Sequence, residues 1–136
     1  MMLKSTRFVL RVVEHKKQRY ETIGDWIPGT PAKIIASDVD NPDYEFMILV
    51  HELIEYYLCK KKDITDRKVV SFDKKYERDR ALGKHTSTSE PGNHRRAPYR
   101  KEHKFATRVE KLIGKKLGVD WDEYSEYLAK MTASDN

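Results

Sequence analysis

The sequence predicts a small α+β domain, an antiparallel N-terminal sheet packed on three to four helices, and three observations carry that expectation. The first forty residues hold short runs of β-branched and aromatic residues broken by Pro and Gly. Residues 43–62 form the most apolar stretch of the chain and run twenty residues without a breaker. Two later segments repeat apolar residues every three to four positions, each followed by a glycine in the stop position. At 136 residues the chain suits one compact domain, residues 1–136. Charged residues make up 36% against 38% apolar, so the core has to come from a few concentrated segments.

The elements follow in order. RFVLRVV (7–13) and RYETIGDWI (19–27) are strand-like, and the polar EHKKQ between them suits a hairpin connection, so two antiparallel strands are expected. Pro28, Gly29 and Pro31 end that hairpin, AKIIAS (32–37) supplies a third strand, and SDVDN is an acidic loop in which Asp38 and Asp40 read as solvated turn residues. Asn41 and Pro42 start a helix, because asparagine caps free amides, proline fits the first helical position, and Asp43 and Glu45 suit the dipole. Its expected apolar face is Phe46, Leu49, Val50, Leu53, Ile54, Tyr57 and Leu58, and Lys60 to Lys62 suit its end. Thr65 or Asp66 caps a second helix that Gly83 closes. Residues 84–98 have no apolar period and read as a long surface loop. A third helix from Tyr99 to Leu117 is expected to bury Phe105, Val109, Leu112, Ile113 and Leu117, with Gly118 after it. Asp120 caps a last short helix, and 132–136 is a frayed tail.

The N-terminal apolar run is too short for a secretory segment and Arg11 interrupts it, and no stretch reaches the length of a membrane span. The single cysteine, Cys59, forms no internal disulfide and is expected to pack as a small hydrophobe. A cytoplasmic protein without a membrane partner is the expectation. The net charge of +5 is uneven, −1 over residues 1–66 and +6 over 67–136. Such a bias suits a polyanion, yet no aromatic-basic motif of an RNA- or DNA-binding fold accompanies it, so nucleic acid is not the favoured partner.

The chemistry lies in His51-Glu52-Leu53-Ile54-Glu55. Residues four apart on a helix stand one above the other, so His51 and Glu55 can bind the same ion, while Glu52 lies beside it and can take a proton from a water there. Both charged ligands interrupt an apolar run, where a buried charge has to be paired or coordinated. A third ligand comes from elsewhere. His103 is chosen, because with Ala106 and Glu110 it shares one helical face on which the small alanine admits a neighbouring helix. Glu110 adds a fourth ligand or orients a histidine from behind, and His85 and His94 compete for the ligand role.

This pattern resembles the HExxH helix of the zincin-like metalloproteases over about residues 32–60, with Glu55 in place of the second histidine. The resemblance implies a metal-dependent hydrolase, a zinc-dependent hydrolase or peptidase, with Glu52 as base toward a metal-activated water and the 84–98 loop beside the substrate. Zinc is the first expectation, and manganese, nickel or iron also suit two histidines with carboxylates. In such a site Tyr99 stabilises an oxyanion or packs, and Arg95, Arg96 and Arg100 bind an anionic substrate or solvate the loop. His94, Arg96 and Tyr99 are the candidate substrate contacts. The rival reading is a non-catalytic module with a structural metal site or a buried polar cluster, whose basic second half binds nucleic acid or a partner protein.

Overall fold

The computed structural model describes residues 7–133, so the last three residues of the expected tail lie outside it. Three strands, β1 (Phe8–Val13), β2 (Gly24–Ile27) and β3 (Ala32–Ser37), are followed by α1 (Pro42–Lys61), α2 (Asp66–Ala81), α3 (Arg100–Leu117) and α4 (Trp121–Ala133). The α+β class holds, but the sheet is not the antiparallel one expected. Its order is β1-β3-β2, with β1 parallel to β3 and β2 antiparallel to it. The hairpin between β1 and β2 does not form because β2 starts only at Gly24, which leaves ten residues to carry the chain past the end of β3. A short 3-10 turn at His15–Lys17 makes that passage, tied to β3 by His15 Nδ1 and Ser37 Oγ at 2.8 Å and by Gln18 Nε2 donating to Ser37 Oγ at 3.2 Å. The strand with most buried residues, β3, thereby takes the centre.

The helix starts follow the expected chemistry. Asn41 Oδ1 accepts from Tyr44 N at 3.1 Å, Thr65 Oγ1 from Lys68 N at 3.3 Å, and Asp120 Oδ1 from Glu123 N at 2.9 Å. The faces do not. On α1 the buried residues are Met47, Ile48, His51, Glu55, Tyr56 and Cys59, whereas Phe46 and Tyr57, expected inside, are 51% and 49% exposed. On α3 the buried residues are His103, Ala106, Glu110 and Gly114, and Phe105, Leu112 and Leu117 face solvent. The cause is common to both helices, which meet through their polar faces because each charge there finds an opposite partner across the contact. Gly114 admits Met47, whose Cε lies 2.6 Å from where a Cβ would stand.

Two apolar clusters flank that polar layer. Trp26, Ile34, Tyr56, Cys59, Val69 and Tyr99 belong to one, and Ala36, Val39, Met47, Ile48 and Tyr124 form the other. His51 and Glu55 lie between them along α1. Among the described residues no helix is long and apolar enough to cross a membrane.

Candidate metal centre

Three atoms meet where α1 crosses α3. His51 Nε2 is 3.0 Å from Glu55 Oε2 and 3.1 Å from His103 Nδ1, and His103 Nδ1 is 3.0 Å from the same Glu55 oxygen. The i, i+4 spacing on α1 stacks the first two, and all three residues are buried. Ligand bonds of about 2.0–2.1 Å require donor separations of about 2.9 Å in octahedral and about 3.4 Å in tetrahedral geometry, so this triangle fits a transition ion. Two imidazoles and a carboxylate are also a suitable donor set for one.

Each donor is held from behind. The other nitrogen of His51, Nδ1, is 2.7 Å from Glu110 Oε1, and Glu110 Oε2 accepts from the Tyr124 hydroxyl at 2.5 Å. His103 Nε2 is 2.8 Å from Glu90 Oε2. The second oxygen of Glu55 accepts from Trp26 Nε1 at 3.0 Å. With the outer nitrogens donating to Glu110 and Glu90, neutral rings turn the lone pairs of His51 Nε2 and His103 Nδ1 toward the same point as Glu55 Oε2. Glu110 thus stands behind His51 and outside the triangle.

The electrostatics follow from this crowding. Burial opposes charge on both imidazoles, but hydrogen bonds to Glu110 and Glu55 raise His51 well above the ordinary histidine range, and those to Glu55 and Glu90 raise His103 to about 9. Burial likewise opposes charge on Glu55, and its bonds to His103 and His51 outweigh that and hold it at about 2.

The triangle borders a cavity of about 170 Å³ lined by Glu52, Glu55, His103, Asp73, Tyr99 and the 87–92 segment among others. Glu52 stands beside the donors, with Oε2 3.8 Å from His51 Nε2, and no hydrogen bond from the described residues engages it. Burial and the neighbouring Glu55 raise its pKa well above the usual carboxylate range. Gly24 on β2 makes room for it: a Cβ there would lie 2.8 Å from Glu52 Cγ. Gly92 does the same for His103, whose Cγ would be 2.3 Å from a Cβ at that position.

Of the remaining expected residues, Tyr99 lines the cavity and donates its hydroxyl to Asp73 Oδ1, while Tyr20 donates to Asp73 Oδ2 at 2.9 Å. Burial lifts Asp73 to about 7, aided by the charge of Glu55 and opposed by the tyrosine hydrogen bonds. His94 and Arg96 do not line the cavity. His94 packs against Phe72 and Tyr76, with ring centroids at 5.8 and 5.9 Å, and its Nδ1 accepts from Arg96 N at 3.1 Å. His85 stacks on Tyr76 at 3.7 Å, so neither loop histidine joins the triangle. Sequence reasoning missed Glu90, Asp73, Tyr20, Trp26 and Tyr124. The one local signal was Glu90-Pro91-Gly92, an acid beside a turn inside the long loop. No family model, no curated protein and no solved structure matches this chain, so the chemistry of the centre stands on these residues alone.

Proposed function

We propose that this protein is a metal-dependent hydrolase in which His51, Glu55 and His103 hold a divalent ion and Glu52 accepts the proton of the attacking water. One observation carries the reading: three buried donor atoms within 3.1 Å of one another, each braced from behind, border a cavity that is also lined by the carboxylate of Glu52. A structural site would be closed by four protein ligands, whereas three with an adjoining cavity suit a catalytic one. Zinc is the first candidate ion.

When bound, such an ion supplies a Lewis acid that polarises the scissile group and lowers the proton affinity of water. Glu52, whose Oε2 lies 3.8 Å from His51 Nε2 and which lines the cavity, supplies the base. Gly24 leaves the space in which Glu52 stands. Glu110 and Glu90 keep the outer nitrogens of His51 and His103 protonated, which holds the inner ones free for the metal. Tyr99 forms cavity wall, its hydroxyl proton being committed to Asp73.

The test is metal content and hydrolysis measured together. Wild type should take up about one divalent transition ion per chain, and His51→Ala and His103→Ala should not. Glu52→Gln should keep the ion and lose about 10²-fold or more of any ester or peptide hydrolysis that the loaded wild type shows. Equal metal content in wild type and His51→Ala would remove the centre from this helix crossing, and loss of the ion in Glu52→Gln would make Glu52 a ligand rather than a base.

A further inference from the structure

Ten residues of α3 are exposed, and seven of them are Lys or Arg with no acid among them. We infer that this face docks on the phosphate backbone of duplex nucleic acid. The two acids of the helix are withdrawn from it: Glu102 is half-buried, and Glu110 is buried against His51. Arg100, Lys104, Arg108, Lys111 and Lys115 follow one another at steps of three or four residues, so they form one row about 22 Å long. None of the five makes an ion pair among the described residues. Arg108 lies over the Phe105 ring at 5.5 Å and Lys111 over the Trp121 ring at 5.0 Å, contacts that hold the side chains without neutralising them. Arg95 and Arg96, exposed just before the helix, extend the same charge.

Charge complementarity selects the partner. A strand of duplex presents a phosphate every 3.4 Å or so of its axis, so about six lie within reach of the row on each strand. An exposed, convex helix is also the shape that the major groove admits. An anionic bilayer fits less well, since membrane-lying helices sink a continuous apolar face, and here Ala106, Val109 and Ile113 are turned inward while Phe105 and Leu112 stand among cations. The ten exposed residues of α3 include no Asn or Gln, the amide readers of adenine, so binding rests on phosphates and is largely indifferent to sequence. The sequence already carried the charge excess of the second half. What the structure adds is its concentration on one face, independent of the metal centre.

The experiment is fluorescence anisotropy of a labelled 20-base-pair duplex with the full chain over a series of salt concentrations. With five phosphates engaged, log K should fall against log salt with a slope of about −4.5. Lys104→Glu with Arg108→Glu and Lys115→Glu should weaken binding by about a hundredfold at low salt and flatten the slope. Lys61→Glu with Lys62→Glu and Lys74→Glu makes the same charge change on exposed residues elsewhere and should leave most of the affinity. All these side chains are exposed, and circular dichroism melts check that each variant is folded. Equal loss in both triple variants would reduce the effect to net charge and overturn the assignment of α3. Tighter binding to vesicles of anionic lipid than to the duplex would overturn the choice of partner, and an affinity untouched by the α3 changes would overturn the inference outright.

Discussion

At the scale of single residues, the three proposed ligands are set by spacing and their bracing by contact. His51 and Glu55 are legible in sequence because four residues make one helical turn, and His103 because it opens a matching face with Ala106 and Glu110. Glu90 and Trp26 reach the same centre from a loop and a strand, and no local pattern announces contacts made by tertiary folding. Gly92 is the clearest case. Its Cα is pressed against the His103 ring, so Gly92→Ala should displace that ring and lower metal affinity about tenfold or more without removing a ligand. Titration of metal into wild type and variant, with melting curves alongside, separates a lost ligand geometry from a lost fold. Asp73 offers a test by pH. Its folded pKa of about 7 lies above the unfolded value near 3.8, so the folded chain binds the extra proton and loses the corresponding stability as pH rises through that window. Urea unfolding at pH 5 and pH 8 should therefore show a fall that Asp73→Asn reduces by an amount on the order of a few kcal/mol.

At the scale of elements, boundaries were more legible than faces or pairings. Asn41 and Pro42 mark the start of α1 by chemistry that acts within four residues. The buried face of α1 was only partly readable because apolar side chains surround the helix: Phe46 and Tyr57 compete with Met47 and Ile48, and the pairings of His51 with Glu110 and of Glu55 with His103 favour the observed rotation. The sheet order failed for a related reason, since strand pairing joins distant segments and a hairpin is merely the default for neighbours. Two connections hold the centre's elements in place. Tyr124 ties α4 to Glu110, and Tyr124→Phe should cost about 1–2 kcal/mol in unfolding free energy and loosen the His51 ring, seen as weaker metal binding. Arg80 ties the 84–90 segment to α2, donating to Ser89 O at 2.7 Å and to Thr86 O while pairing with Glu77 at 2.9 Å. Truncating it releases the segment that carries Glu90, so Arg80→Ala should weaken metal binding from outside the ligand set.

At the scale of the whole molecule, the centre acts as a clasp between parts distant in sequence. Glu55 and His103 are 48 residues apart, and the intervening chain contains all of α2 and the long loop. An ion that binds only the folded chain stabilises it by about 2.7 kcal/mol when free metal is a hundredfold above its dissociation constant. Chelation should therefore lower the melting temperature of the loaded protein, by several degrees for a domain of this size. An unchanged midpoint after verified loading would mean that the ion sits outside the core. The two apolar clusters enclose the layer of hydrogen-bonded polar groups from both sides. Cys59, the chain's lone sulfhydryl, lies wholly inside one of those clusters, where burial raises its pKa and keeps reagents away. It is consequently a native stopwatch. A thiol-reactive dye can colour this protein only during moments when the α1 core gapes, so the labelling rate counts those openings with no probe added, and a seated ion should make them rarer.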